Sequence, residues 1–364
     1  MTRVLLAGGG TAGHVNPLLA VAAELDRMGV AKPAEILVLG TREGLESRLV
    51  PEAGYRLVTT ARLPMPRRLS LDAVLFWPRF AGAVLQVIGV IRSHNTEVVA
   101  GFGGYASTPA YVAAWLTKTP LVLHEANAVA GFANRLGARF TRYIVTTFSQ
   151  TRLPHARLLG MPMARSITHP VSKISVAAAR KHFGLDTGKK TLLVTGGSQG
   201  SVTINKTTEA VVSEVLALGW QVIHLVGLRN LLPKDPAAGY VALHYCDRMD
   251  MAFRASTAVV SRAGAATVSE IQIVGLPAIF VPYPVGNGEQ EKNAADSLNA
   301  GAAVMVVDRD FTPEYVRGTV LPLLADDAAL QRMRSGSKGL GRPDAASAFV
   351  DVISEALKAS SRRR

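Results

Sequence analysis

The stretch LLAGGGTAGHVNPLLA, residues 5–20, runs from a short apolar segment through four glycines and one histidine into a helical pattern. Glycine loses more conformational freedom on folding than any other residue, so a cluster of them serves close approach of the backbone to something else. Pro17 suits a first helical turn, where its missing N–H would lack a partner anyway. Leu18, Ala22 and Leu25 then recur at helical spacing and Gly29 closes the pattern, which predicts strand, glycine-rich turn and a helix over 17–28.

The same grammar repeats along the chain. Strand candidates are 3–7, 35–40, 56–60, 97–101, 121–125 and 143–147, then 191–197, 221–227, 241–245, 257–264, 278–283 and 302–307. Between them lie helix-length segments, including 203–218, 266–275 and 290–300. Short, almost wholly apolar strands alternating with helices indicate parallel sheets covered on both faces. Two such series, divided near 162–170, predict an α/β protein of two Rossmann-like domains, 1–163 and 164–340, followed by a terminal helix and basic tail over 341–364.

Ligands of open parallel sheets sit beyond the carboxyl ends of the strands. There the chain places GGGTAGH at 8–14, GGSQGS at 196–201 and RAGAATVSE at 262–270. Each leads through glycines, small residues and hydroxyls into a helix, exposing amides at the positive end of its dipole, an arrangement suited to phosphate. A tight turn without a ligand accounts for any one of them. Three together point to a phosphate-bearing ligand. Neither the P-loop pattern nor G-x-G-x-x-G is matched.

With 364 residues, 48% hydrophobic and 18% charged, the chain is globular in composition. Its one cysteine, Cys246, excludes an internal disulfide and fits a reducing compartment. No secretory signal is visible, and the longest apolar run, Phe80 to Ile91, falls short of the roughly 20 residues of a membrane span. These features predict a cytoplasmic protein. The net charge of +13 fits nucleic acid, an anionic membrane or a polyanionic substrate. Zinc-finger spacing and aromatic-basic RNA signatures are missing, so nucleic acid is not the expected partner.

Across almost its whole length the chain resembles the MurG family of N-acetylglucosaminyltransferases. The resemblance is carried by GGGTAGHVNPLLA (8–20), GFGGYASTPAYVAAW (101–115), HEANAVAGFANR (124–135), GGSQGS (196–201), SRAGAATVSEI (261–271), GLPAIFVPY (275–283) and EQEKNA (289–294). It implies two facing Rossmann-like domains (the GT-B architecture). The second would hold UDP-N-acetylglucosamine; the first would take an undecaprenyl-linked muramyl-pentapeptide at an anionic inner-leaflet surface, making the protein peripheral to the membrane. The terminal helix would pack back on the first domain. Another GT-B transferase with a lipid or natural-product acceptor, or a non-catalytic nucleotide- or nucleic-acid-binding protein, are the alternatives.

On the donor side the resemblance implies that Ser198 and Gln199 meet the diphosphate and that Ala265, Ala266, Thr267, Val268 and Ser269 line the nucleotide. It has Glu270 accept hydrogen bonds from the ribose diol, chemistry suited to an acceptor-only group. Glu289, Gln290 and Asn293 would recognise the sugar, with 290 and 293 at helical spacing toward one cleft. Cys246 would contact uracil through its backbone. On the acceptor side Thr11, Ala12 and Gly13 would bind diphosphate, with Tyr105, Ser107 and Asn127 nearby. His14, kept neutral by the helix dipole, is the candidate general base, with Glu125 as its rival and helix capping or phosphate binding as the alternative role. Main-chain amides would stabilise the leaving UDP without a required cofactor, magnesium on the diphosphate remaining open. No paired-carboxylate metal motif is visible.

The family's Gly-Asn-Pro-x-Arg segment reads GMPMAR at 160–165, with Met161 for asparagine and the arginine displaced to Arg165, which the resemblance implies as a nucleotide contact. HEANA carries Ala126 and Ala128 in place of the usual glutamine and glycine. The segment 62–80 mixes Arg62, Arg67, Arg68 and Arg79 with Leu75, Phe76, Trp77 and Phe80. With Arg135, Arg139 and Arg142 it forms either a basic-rimmed membrane dock or an ordinary helix whose apolar face is core.

Overall fold

The computed structural model describes residues 1–61, 63, 71–169, 174–285 and 287–362. Arg62, Arg67 and Arg68 of the expected membrane segment lie outside these residues. The chain divides into two compact units, Met1–Ala164 with Pro343–Arg364, and Arg165–Arg342.

The first unit is built on β1 (Val4–Ala7), β2 (Ile36–Thr41), β3 (Arg56–Thr60), β4 (Val98–Gly101), β5 (Leu121–Glu125), β6 (Tyr143–Thr146) and β7 (Ala156–Leu158). They form one parallel sheet in the order β3-β2-β1-β4-β5-β6-β7. β1 is central, and its alternating side chains feed two cores. Val4 and Leu6 pack with Leu18, Val21 and Leu25 of the helix Ala12–Arg27 and with Phe349 and Ile353 of the terminal helix Ala345–Ser361. Leu5 and Ala7 face Val84, Val87 and Ile91 of the helix Leu71–Ser93 and Tyr111 of the helix Ser107–Leu116. Each fully buried leucine or valine is worth about 1.5–3 kcal/mol, which is why these strands read as unbroken apolar runs.

The first helix begins at Ala12, with extended Thr11 as its N-cap, not at Pro17 as the pattern suggested. His14 therefore belongs to the helix. The helix Leu71–Ser93 also departs from expectation. Its segment Leu75–Ser93, 19 residues of mean hydropathy 1.3, is long and apolar enough to cross a membrane by length and composition. Its Val84, Val87 and Ile91 are nevertheless built into the core of the first unit.

The second unit repeats the plan with β8 (Thr191–Thr195), β9 (Gln221–Leu225), β10 (Tyr240–Leu243), β11 (Ala258–Ser261), β12 (Ala278–Phe280) and β13 (Ala303–Met305). Its parallel sheet runs β10-β9-β8-β11-β12-β13. The expected helix over 290–300 is two short helices, Glu289–Asn293 and Ala295–Asn299. In both sheets the strand order reverses beside the first strand, between β1 and β4 and between β8 and β11. These are the switch points where doubly wound sheets take ligands.

Candidate active site

At the first switch point the loops following β1 and β4 meet backbone to backbone. Gly104 has φ +86°, and a Cβ there would stand 2.5 Å from the carbonyl oxygen of Gly9, so glycine is required twice over. His14 stands in the first turn of the helix that follows β1. Its Nδ1 lies 3.1 Å from Gly9 O and 3.2 Å from Thr11 Oγ1. A carbonyl only accepts, so Nδ1 carries the proton and Nε2 keeps its lone pair. Nε2 lies against Gly103 and has no hydrogen-bond partner among the described residues. Burial, outweighing the Gly9 hydrogen bond and the charge of Glu46, lowers the His14 pKa below its ordinary value. Desolvation is the largest influence on this imidazole and favours its neutral form.

The amides of Thr11, Ala12 and Gly13 have no partner among the described residues and stay open to an anion. The Gly10 amide does not, because it donates to Glu46 Oε2 at 2.8 Å. Tyr105 is exposed, as substrate contact requires, but Ser107 is not. Its buried hydroxyl is spent on Ala7 O and Gly103 O, which makes it structural rather than a phosphate contact.

Glu125 is likewise a poor candidate base. It is 3% exposed, and its carboxylate accepts from Asn127 N at 2.9 Å, Gly131 N at 3.0 Å and Asn134 Nδ2 at 2.8 Å. Asn134 Oδ1 in turn accepts from Tyr111, whose hydroxyl oxygen accepts from Gly103 N. Glu125 therefore shapes the loop carrying Asn127 and steadies the Gly103 wall beside His14. His124, on the same strand, is wholly buried, and burial pushes its pKa down to about 4.

At the second switch point the loop 196–201 runs from β8 into the helix Val202–Ala217, capped by Ser201, whose Oγ accepts from Ile204 N. Gly200 has φ +76°, and a Cβ there would overlap the carbonyl of Val226. Ser198 and Gln199 are exposed at the loop's tip. The helix Ala265–Val274 starts behind Gly264, leaving the Ala265, Ala266 and Thr267 amides without partners among the described residues. A cavity of about 140 Å³ joins these elements, with Ser198, Thr267, Glu270, Tyr245 and Cys246 in its wall. Glu270 faces it as a carboxyl whose pKa burial raises to about 7. Burial also pushes the Cys246 thiol up, which leaves it unreactive there and consistent with a main-chain role.

Four donor-side expectations change. Val268 is fully buried, and the Ser269 hydroxyl is consumed by Ala265 O, so neither side chain reaches the cavity. Asn293 is also fully buried, its Nδ2 donating to Ala263 O, while Gln290 Oε1 accepts from Ala263 N and Tyr283 N. The pair clamps both sides of Ala263 and so fixes the start of the nucleotide helix. Gln290 Nε2 has no hydrogen-bond partner among the described residues, and half-buried Glu289 heads the same short helix. Arg165 is exposed and does not line the cavity.

Two residues escaped the sequence reading. Arg262, directly after β11, donates to Ser201 Oγ (2.7 Å), Val281 O (3.0 Å) and Pro282 O (2.9 Å) and pairs with Asp308, tying the phosphate loop to the ends of β11 and β12. Its place immediately beyond a strand was the available signal. Glu46 gave no local signal. Among the described residues no group of three or more His, Cys, Asp or Glu is arranged to hold a metal.

Paired parallel sheets of this order, each with open helix amides at its switch point, define the class of α/β proteins with two Rossmann-like units. The glycosyltransferase family 28 N-terminal domain matches residues 4–146 and the family 28 C-terminal domain residues 191–349. The chain belongs to glycosyltransferase family 28. It is 50% identical over 361 residues to the UDP-N-acetylglucosamine--N-acetylmuramyl-(pentapeptide) pyrophosphoryl-undecaprenol N-acetylglucosamine transferase of Clavibacter michiganensis, covering 99% of this chain and 98% of that protein. It is 48% identical to the protein of the same name from Leifsonia xyli, covering 99% and 100%. The crystal structure of Acinetobacter baumannii MurG matches with a TM-score of 0.80 at 26% identity, over 98% of this chain and all of that one. A UDP-GlcNAc 2-epimerase from Neisseria meningitidis, at 13% identity and a TM-score of 0.67, shares the fold.

Proposed function

We infer that this chain transfers N-acetylglucosamine from UDP-N-acetylglucosamine to undecaprenyl-pyrophosphoryl-N-acetylmuramyl-pentapeptide, the step that completes the lipid-linked peptidoglycan precursor. Near end-to-end identity of 44–50% with enzymes of that name carries the reading. In it, His14 Nε2 takes the proton of the acceptor's 4-hydroxyl as the oxygen attacks the anomeric carbon. The C–O bond to UDP breaks, and the electron pair leaves on the diphosphate. The amides of Ala265 and Ala266 with the 196–201 loop meet the charge that develops there. Glu270 holds the ribose, and Gln290 Nε2 is offered to the sugar. No divalent metal is required by these steps. The test is UDP release from UDP-N-acetylglucosamine with and without a short-chain lipid acceptor, in EDTA. Acceptor-dependent release is expected; release indifferent to acceptor would overturn the assignment.

A membrane-facing role for the first unit is supported by its outer apolar side chains. Trp77 is 65% exposed and Leu85 67%, on a helix that also carries exposed Arg79. Exposed Arg135, Arg139 and Arg142 add cationic charge to the unit. Because the opposite face of that helix is core, it suits lying in the interface better than spanning it. Replacing Trp77 and Leu85 together by serine is expected to weaken binding to anionic vesicles about tenfold, with UDP affinity unchanged. Equal vesicle binding by the variant would remove this surface from the docking reading.

A further inference from the structure

Glu46 is an anion buried beneath a loop read as binding phosphate, and that conflict needs an explanation. The residue is 0% exposed. Oε2 accepts from Gly10 N at 2.8 Å, and Oε1 accepts from Thr41 N and Thr41 Oγ1, each at 2.7 Å. No cation pairs with it among the described residues. A Cβ on Gly9, Gly40 or Gly44 would overlap the Glu46 side chain, so three glycines, one on the loop after β1, one within β2 and one on the loop after β2, are shaped around this one group. Burial raises its pKa, but the hydrogen bonds from Gly10 and Thr41 outweigh that, and it stays below the ordinary carboxylate value and ionised.

What this carboxylate does follows from the covalent chain. Gly10 N–H and Gly9 C=O belong to the same peptide group. Glu46 accepts from its nitrogen side, and His14 Nδ1 donates to its oxygen side at 3.1 Å. The order is carboxylate, peptide, imidazole. An amide whose N–H is bonded to an anion carries more negative charge on its oxygen and accepts more strongly. It is also held against rotation, at a position where Gly10, with φ +90°, offers little resistance of its own.

We propose that Glu46 is a positioning residue that acts on His14 through the Gly9–Gly10 peptide, fixing the Nδ1–H tautomer and strengthening Nε2 as a base. It does for this histidine what a directly bonded carboxylate does in a hydrolase triad, with one peptide interposed. The glycines of the opening loop then enclose an anion on their inner side, while Thr11, Ala12 and Gly13 remain available to substrate on the other. The proposal rests on His14 being the base, as read above.

The titratable groups that act on His14 are Glu46, whose charge raises its pKa, and buried His124 on β5. Removing the Glu46 charge therefore lowers the His14 pKa further. Glu46→Gln cannot serve all three donors, because its amide nitrogen only donates. It is expected to reduce kcat about ten- to a hundredfold at saturating substrates, to leave the KM for UDP-N-acetylglucosamine unchanged, and to move the acid limb of kcat to lower pH. Glu46→Asp, which keeps the charge, should recover part of the rate and return the acid limb toward wild type. Imidazole 15N NMR reads the relay without turnover. His14 of the wild type should show protonated Nδ1 and unprotonated Nε2, and Glu46→Gln a mixture of tautomers. If transfer activity is lacking but the tautomer shifts, the relay stands and the reaction assignment falls. A wild-type tautomer and acid limb in Glu46→Gln would overturn the proposal, even if thermal stability drops. Should Glu46→Gln not fold, Thr41→Val with the charge retained is expected to keep the acid limb in place; a shift there overturns the proposal.

Discussion

His14→Ala is expected to lower kcat by about two to four orders of magnitude, the range that a positioned general base contributes. The KM for UDP-N-acetylglucosamine should change little, because the donor elements belong to the other unit. Nε2 is the only nitrogen on this imidazole free to take a proton, since Nδ1 is committed to Gly9. Burial depresses the His14 pKa, so in wild type the base remains neutral below pH 6.5, and kcat should hold on acidification past that value. Turnover of His14→Ala within about threefold of wild type would move the base elsewhere. Glu125 would be a poor heir, for it is buried and every hydrogen bond described for it holds a loop in place.

The second large effect concerns Glu270 and has a defined sign. Its pKa is raised from 4.5 to about 7 by burial. In the role proposed for Glu270 the ribose diol donates to it, and the nucleotide then selects the ionised carboxylate. Affinity for UDP-N-acetylglucosamine should rise as pH increases through 7 and fall about tenfold per unit below it. The donor is the right probe because its diphosphate diester does not itself titrate in this range. In the empty protein the linkage runs the other way. Stability contributed by protonated Glu270 is present below 4.5 and is lost as pH rises through 7. Glu270→Gln should weaken donor binding at pH 8 by about ten- to a hundredfold, two charge-assisted bonds becoming ordinary ones, and should flatten the pH profile. Calorimetry that finds the same slope in the variant would assign the titration to another group.

The open main-chain amides of the candidate site were readable in one dimension because they depend only on local chain order. The amides of Ala12, Gly13, Ala265 and Ala266 need only a strand, a small-residue turn and a helix start, and each is a local property. Side-chain roles were less legible. Gln290 and Asn293 look like two polar residues on one helical stripe, yet one clamps and the other is buried because both converge on Ala263, some 30 positions away. Val268 and Ser269 sit inside the right motif, but helix rotation turns them to the core. The first helix was read five residues too short. Glycine, threonine and histidine are weak helix formers, and burial of Val15 with packing of Leu18 against β1 overrode them.

By itself the sequence determined two parallel α/β sheets, their strand positions to within a few residues, and the glycine-rich loops at the two switch points. Strands buried on both faces must be continuously apolar, and such runs are visible without coordinates. The edge strand β7, three residues and only partly buried, lacked that mark. Tertiary structure alone decided which polar groups are free to react and which are spent on the fold. Glu46 meets Gly10 across 36 residues and Arg262 meets Ser201 across 61, contacts that no periodicity encodes. A hydrogen bond is specified by where its two ends arrive in space, and for these residues only folding brings the ends together.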